Sequence, residues 1–188
     1  MKILMVNRAN AYTQFGGDTM QMLETKMGLE KLGINVEVKL GEQDIDEYKK
    51  FDIIHFFNIQ TDDFTLAEII KAKKVGKPVA VSTIWWNYSD IESNADEKYL
   101  SSRAKKFKKI LGERLFLKIQ RFKRLNEQKT KVKNRKKILE YADILLPNSN
   151  IEQQMLDVDF SGDYSKKSLV VYNGISKKKL DIESKIGK

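Results

Sequence analysis

The period of the apolar positions changes repeatedly along the chain, and each change marks an element. Lys2–Val6 is a short apolar run followed at once by polar residues, the signature of a buried strand. Asn7 to Thr19 is a polar loop that reaches Gly16-Gly17 and opens a helix at Asp18 or Thr19. Asp18 is placed to cap that helix, with Gln21 as its return partner. Met20, Leu23 and Met27 then recur at helical spacing, and Gly33 stops the helix. Val36, Val38 and Leu40 alternate within a second strand, Asn35–Leu40. A polar connection over Gly41–Lys50 leads to a third strand, Asp52–Phe57. Leu66, Ile69 and Ile70 form the inward face of a helix over Phe64–Val75, which Gly76-Lys77-Pro78 ends before a fourth strand, Val79–Thr83. This alternation predicts an α/β fold, a Rossmann-like parallel sheet with helices on both faces.

The alternation then breaks. Ile84–Asn94 is a loop carrying Trp85, Trp86 and Tyr88. Residues 97–141 read as one long basic helical segment, two helices with Gly112 as the candidate break. Phe107, Ile110, Leu111, Leu115, Ile119, Phe122 and Leu125 make its apolar stripe, and Lys and Arg fill the other faces. A fifth strand over Ala142–Pro147, a helix capped by Asn148-Ser149-Asn150 and reaching about Val158, and a sixth strand over Ser168–Tyr172 complete the expectation. The tail from Ser176 is polar and Lys-rich.

Composition narrows this picture. At 188 residues the chain suits one domain with its own core. The absence of cysteine excludes disulfides and thiolate metal sites and fits a reducing compartment. The N-terminal apolar run is too short for a signal peptide, and no run approaches the ~18 apolar residues of a membrane helix. The expectation is a cytoplasmic chain, with peripheral attachment to the inner face of the membrane as its route to a surface. Charge is unevenly spread. Residues 103–137 hold sixteen Lys or Arg against Glu113 and Glu127, a net +14, so with +9 over the whole chain the rest carries −5.

Candidate chemistry begins at Gly16, Gly17 and Asp18. Small residues let a ligand approach the backbone, and a helix start favours an anion. The competing reading is a tight turn that only starts a helix. Neither a G-x-G-x-x-G fingerprint nor a P-loop is present. One histidine without cysteine excludes the usual zinc sites, and His55 alone cannot complete a Ser/His/Asp set. Asp44-Ile45-Asp46 has metal-binding spacing but reads better as a solvated turn. His55, Asn58 and Gln60 lie at the exit of strand three, where hydrogen bonding to a ligand competes with a structural role. Trp85 and Trp86 either stack on sugar rings or fill a core. Asn148-Ser149 reads first as a helix cap. The basic segment, including Arg103, Lys105, Lys106, Lys108, Lys109, Arg121, Lys123 and Arg124, fits an anionic membrane or acceptor first, a solvated face second and nucleic acid last.

Several pieces also fall into one order: Lys-Ile-Leu-Met-Val-Asn from Lys2, Phe-Gly-Gly-Asp-Thr-Met-Gln from Phe15, Phe-Asp-Ile-Ile-His-Phe-Phe-Asn from Phe51, Gly-Lys-Pro-Val-Ala-Val-Ser-Thr from Gly76, Tyr-Ala-Asp-Ile-Leu-Leu-Pro-Asn-Ser from Tyr141, and Leu-Val-Val-Tyr-Asn-Gly-Ile from Leu169. This order resembles the N-terminal domain of GT-B glycosyltransferases of the retaining, family-4 type, over about residues 1–176. The resemblance implies a Rossmann-like acceptor-side domain, with 177–188 starting a linker to a C-terminal donor domain. It implies transfer of a sugar from a nucleotide-sugar, a co-substrate rather than a cofactor, to a glycan or lipid-linked acceptor without bound metal. It carries the donor diphosphate over to Gly16 and Gly17, beside Asp18, and makes His55, Asn58, Thr83, Trp85, Trp86 and Asn87, at the strand exits, the candidate acceptor-binding residues. Two departures stand out. The family's glutamate-rich donor motif has no counterpart, and Trp85 occupies the position where the family often has a histidine. This chain alone is therefore expected to be catalytically silent. The alternative is a non-catalytic Rossmann-like module that docks on an anionic membrane or a partner.

Overall fold

The computed structural model describes residues 1–87 and 113–174. In chain order they form β1 (Lys2–Asn7), α1 (Gly17–Lys31), β2 (Asn35–Leu40), α2 (Ile45–Tyr48), β3 (Ile53–Phe57), α3 (Asp62–Lys74), β4 (Val79–Ser82), α4 (Glu113–Tyr141), β5 (Ile144–Leu145) and α5 (Asn150–Asp159). A 3-10 turn, Ser165–Lys167, follows.

The strands make one parallel sheet in the order β2-β1-β3-β4-β5, so the fold is Rossmann-like α/β. β1 lies inside it, Leu4 facing Glu37 on one side and Ile54 on the other. Successive side chains of a strand point to opposite faces, and two cores follow. Leu4, Val6, Ile54, Phe56, Val79 and Val81 join residues of α3, α4 and α5 on one face. Ile3, Met5 and Phe57 join Met22 of α1 and Val36 on the other. Strands buried on both sides explain the near-continuous apolar runs.

Three expectations are corrected. Met22 is the fully buried apolar residue of α1 and Leu23 packs partly buried beside it, while Met20 and Met27 are exposed. The β1–α1 loop sets this rotation, because the Thr19 hydroxyl donates to the Ala11 carbonyl at 3.1 Å and draws that face inward. Asp18 does not cap the helix. The N-cap is Gly16, the Asp18 carboxylate turns to Arg8, and Gln21 donates to Asn148 across 2.6 Å. The sixth strand is absent among the described residues. Leu169 and Val171 donate to Leu145 and Pro147 beside β5, but a single bridge forms. Pro147 has no N–H to return to the ladder.

The segment from 41 to 50 also contains the short α2, in which Asp44 is the N-cap and Asp46 pairs with Lys49. The expected apolar stripe of the long helix divides. Phe107, Ile110, Leu111 and the Gly112 break lie outside the described residues, as does the tail from 175. Leu115, Ile119, Phe122 and Leu125 are exposed, whereas Ile138 and Leu139 are fully buried against the sheet domain. Phe122 and Ile138 are separated by about 160° around the helix axis, given 100° per residue.

Candidate functional site

The chain crosses over in opposite directions from β1 and β3, and the carboxyl ends of neighbouring strands at such a point form a crevice. A cavity of about 560 Å³ sits there, between Arg8, Asn10 and Gln14 after β1, Gly41 after β2, and Thr61 and Phe64 after β3. Arg8 dominates its wall. Its guanidinium holds the Asp18 carboxylate through Nε at 2.9 Å and Nη2 at 3.1 Å, and Nη2 also donates to the Gln14 carbonyl at 2.6 Å. Burial pushes the Asp18 carboxyl up, but the hydrogen bonds and charge of Arg8 outweigh it and hold it below the usual range.

This pair explains Gly16. A Cβ there would stand 2.9 Å from Asp18 Oδ1 and 3.4 Å from Arg8 Nη2. Gly17 faces open space. The N–H groups of Gly17 and Asp18 donate to no acceptor among the described residues. The helix start thus keeps free donors on its outer side while its own carboxylate occupies the inner side.

His55 is buried under the edge. Its Nε2 is 2.9 Å from Ser82 Oγ, its ring stacks on Phe57 at 4.2 Å, and burial pushes its pKa down to about 3. It is a neutral side chain between β3 and β4. Asn58, just beyond β3, has φ 73° and accepts the Gln60 N–H at 2.8 Å through Oδ1. Asparagine tolerates that left-handed geometry.

The exits of β4 and β5 are fastened by Glu152, a residue outside the expected set. Its carboxylate accepts from the Thr83 hydroxyl, from Trp85 N at 2.8 Å and from Asn148 N at 2.7 Å. Its own N–H donates to Ser149 Oγ at 3.0 Å, so Ser149 is the N-cap of α5. Ser-x-x-Glu is a capping-box spacing and is readable in the chain. Ile84, held inside this network, adopts φ 48°, a strained geometry for a β-branched residue.

The network splits the two tryptophans. Trp85 is buried against Phe160, and its Nε1 donates to Asp159 at 2.7 Å. Trp86 is 56% exposed. Cavities of about 210 and 190 Å³ border it, one toward Asn148 and α5, the other toward Arg135 and α4. Asn87 donates to Asp159 at 3.1 Å. The edge therefore brings Trp86, Asn87, Gln60 and Asn148 to the two cavities, with Thr83 buried beneath them on Glu152 and Gly16 and Gly17 further along the same edge. Arg8, Glu152, Lys131 and Arg135 join them without having been expected.

Tyr88, Arg103, Lys105, Lys106, Lys108 and Lys109 lie outside the described residues, as do the side chains of Arg121 and Arg124. Lys123 is exposed. Among the described residues no helix is long and apolar enough to cross a membrane.

Fold and edge define a Rossmann-like parallel α/β domain whose carboxyl edge carries polar and aromatic residues. Compared with known proteins, no protein-family model and no curated protein matches the chain.

Proposed function

We propose that this chain is the acceptor-side domain of a GT-B glycosyltransferase of the retaining, family-4 type. The whole enzyme moves a sugar from a nucleotide-sugar to a glycan or lipid-linked acceptor. One observation carries the reading: a helix start with free N–H donors at Gly17 and Asp18 shares the sheet's carboxyl edge with the exposed Trp86 and its two cavities. The first feature suits a diphosphate and the second a sugar ring. The chain's own residues bind and orient. Arg8 holds Asp18 aside, Glu152 fixes the loop after β4, and Trp86 offers a face. A donor domain closes the cleft from the other side.

Titration with uridine or guanosine diphosphate, followed by amide chemical shifts, tests this. Shifts at Gly16, Gly17 and Thr19 at millimolar ligand are expected; silence along the whole edge refutes the reading. Sugar transfer by the isolated 188-residue chain would overturn its assignment as one half of an active site.

A docking role on an anionic membrane is favoured by α4. Leu115, Ile119, Phe122 and Leu125 recur on one exposed face, opposite Ile138, with Lys118, Lys123 and Lys129 around them. Apolar residues ringed by lysines suit a surface with anionic headgroups.

A further inference from the structure

The cavity between Trp86 and α4 is lined by Arg135, whose Nε donor finds no acceptor. Arg135 is only 12% exposed, and its guanidinium lies 4.9 Å from the Trp85 ring centroid. Its nearest carboxylate, Asp62, is 3.9 Å from Nη2, beyond hydrogen-bond reach. Its Nε is buried without an acceptor, and the guanidinium makes no hydrogen bond to the described residues. A largely buried cation with unmet donors is costly. The flat fork of an arginine matches a carboxylate or phosphate in two-point contact.

Among the described residues, the rest of the cavity's lining offers no free anion to that fork. Asp159, the acid in its lining, already accepts from Trp85 Nε1 and Asn87 Nδ2. Lys131 adds a second positive charge to the lining. α4 contributes Gln128, Lys131, Val132 and Arg135 to the lining and no acid. The exposed Trp86 and Gln60 line the same cavity.

We propose that this cavity binds a sugar bearing an anionic substituent, a carboxylate or a phosphate, with its ring on Trp86 and its anion on Arg135 and Lys131. The proposal rests on the glycosyltransferase reading and names the acceptor's chemistry.

The test uses the 188-residue chain at low salt, with tryptophan fluorescence and calorimetry. The probes are a hyaluronan tetrasaccharide, glucose 6-phosphate, neutral maltotetraose and inorganic phosphate. At least one anionic sugar is expected to bind about tenfold more tightly than maltotetraose, and the preferred one identifies carboxylate or phosphate. Trp86→Ala should weaken every sugar probe in calorimetry, Trp85 remaining as the fluorescent reporter. Lys131→Gln should weaken the anionic sugar about threefold to tenfold and leave maltotetraose unaffected. Arg135→Lys keeps the charge but removes the fork, and should weaken the anionic sugar while the far-ultraviolet dichroism stays native. Equal binding of neutral and anionic sugars overturns the anion subsite. Inorganic phosphate binding as tightly as either anionic sugar overturns the sugar subsite. No binding by any probe overturns the proposal; if nucleotide diphosphate still shifts Gly17, the glycosyltransferase reading survives.

Discussion

Replacing Glu152 by alanine should be among the most damaging single changes at the ligand edge that leave the apolar core intact. The carboxylate accepts three hydrogen bonds, two of them from the backbone N–H groups of Trp85 and Asn148. Each bond to a charged acceptor is worth about 1.5–3 kcal/mol, and each buried donor left unmatched costs about 1–3 kcal/mol. Removing the carboxylate also removes the cost of burying it, so the net loss is about 3–4 kcal/mol. Glu152→Gln keeps one acceptor oxygen but sets an amide donor against a backbone donor, and should lose about 1–2 kcal/mol. Urea unfolding followed by far-ultraviolet dichroism measures both. With an m-value of about 2 kcal/mol per molar, the alanine variant's midpoint should fall by about 1.5–2 M. A loss under about 1 kcal/mol in Glu152→Ala would show that water satisfies those donors, and the hub argument would fail.

Three further outcomes follow. His55, the only histidine, is held neutral with its pKa near 3 against an ordinary 6.5. The unfolded chain therefore takes up a proton first as pH falls. Its contribution is complete above about pH 6.5 and is lost toward pH 3, about 2 kcal/mol by pH 5, and His55→Asn should flatten that slope in urea midpoints. Gly16→Ala should cost about 1 kcal/mol by displacing the Arg8–Asp18 pair, while Gly17→Ala should stay within about 0.5 kcal/mol of wild type yet weaken nucleotide diphosphate binding. Equal thermal loss in the two variants would contradict the different surroundings of these glycines. Phe122→Glu should reduce co-sedimentation with vesicles rich in anionic lipid by about tenfold without changing dichroism; unchanged binding removes the membrane proposal.

Five of the six expected strands were legible because their apolar runs are short and bounded by turn residues; the sixth, over Ser168–Tyr172, forms only a single bridge. Helix rotation was not. Met20, Leu23 and Met27 have helical spacing, but the hydrogen bond of Thr19 to the loop decides which side of α1 meets the sheet. The same limit applies to α4, where an apolar stripe reads identically whether it faces a core, as Ile138 does, or solvent, as Phe122 does. At the site, Gly16 was legible as a special position. Its reason was not, since Arg8 and Asp18 meet only after the loop folds. Arg135 was hidden among sixteen similar cations, because its unmet Nε donor is a property of three-dimensional surroundings.

The bond from Glu152 to Trp85 spans 67 residues, and that separation orders the folding of the domain. β1 to β4 can assemble through nearby helices, closing short loops in succession. The tryptophan rim cannot, because its anchor arrives only when β5 and α5 dock after the long basic segment. Contacts between distant positions form late, since the loop must be closed before they are rewarded. A chain emerging from the ribosome would thus own a sheet before it owned a binding rim. The Trp85 amide should gain protection from hydrogen exchange after the amides of β1 and β3, which makes it a clock for the completion of the site.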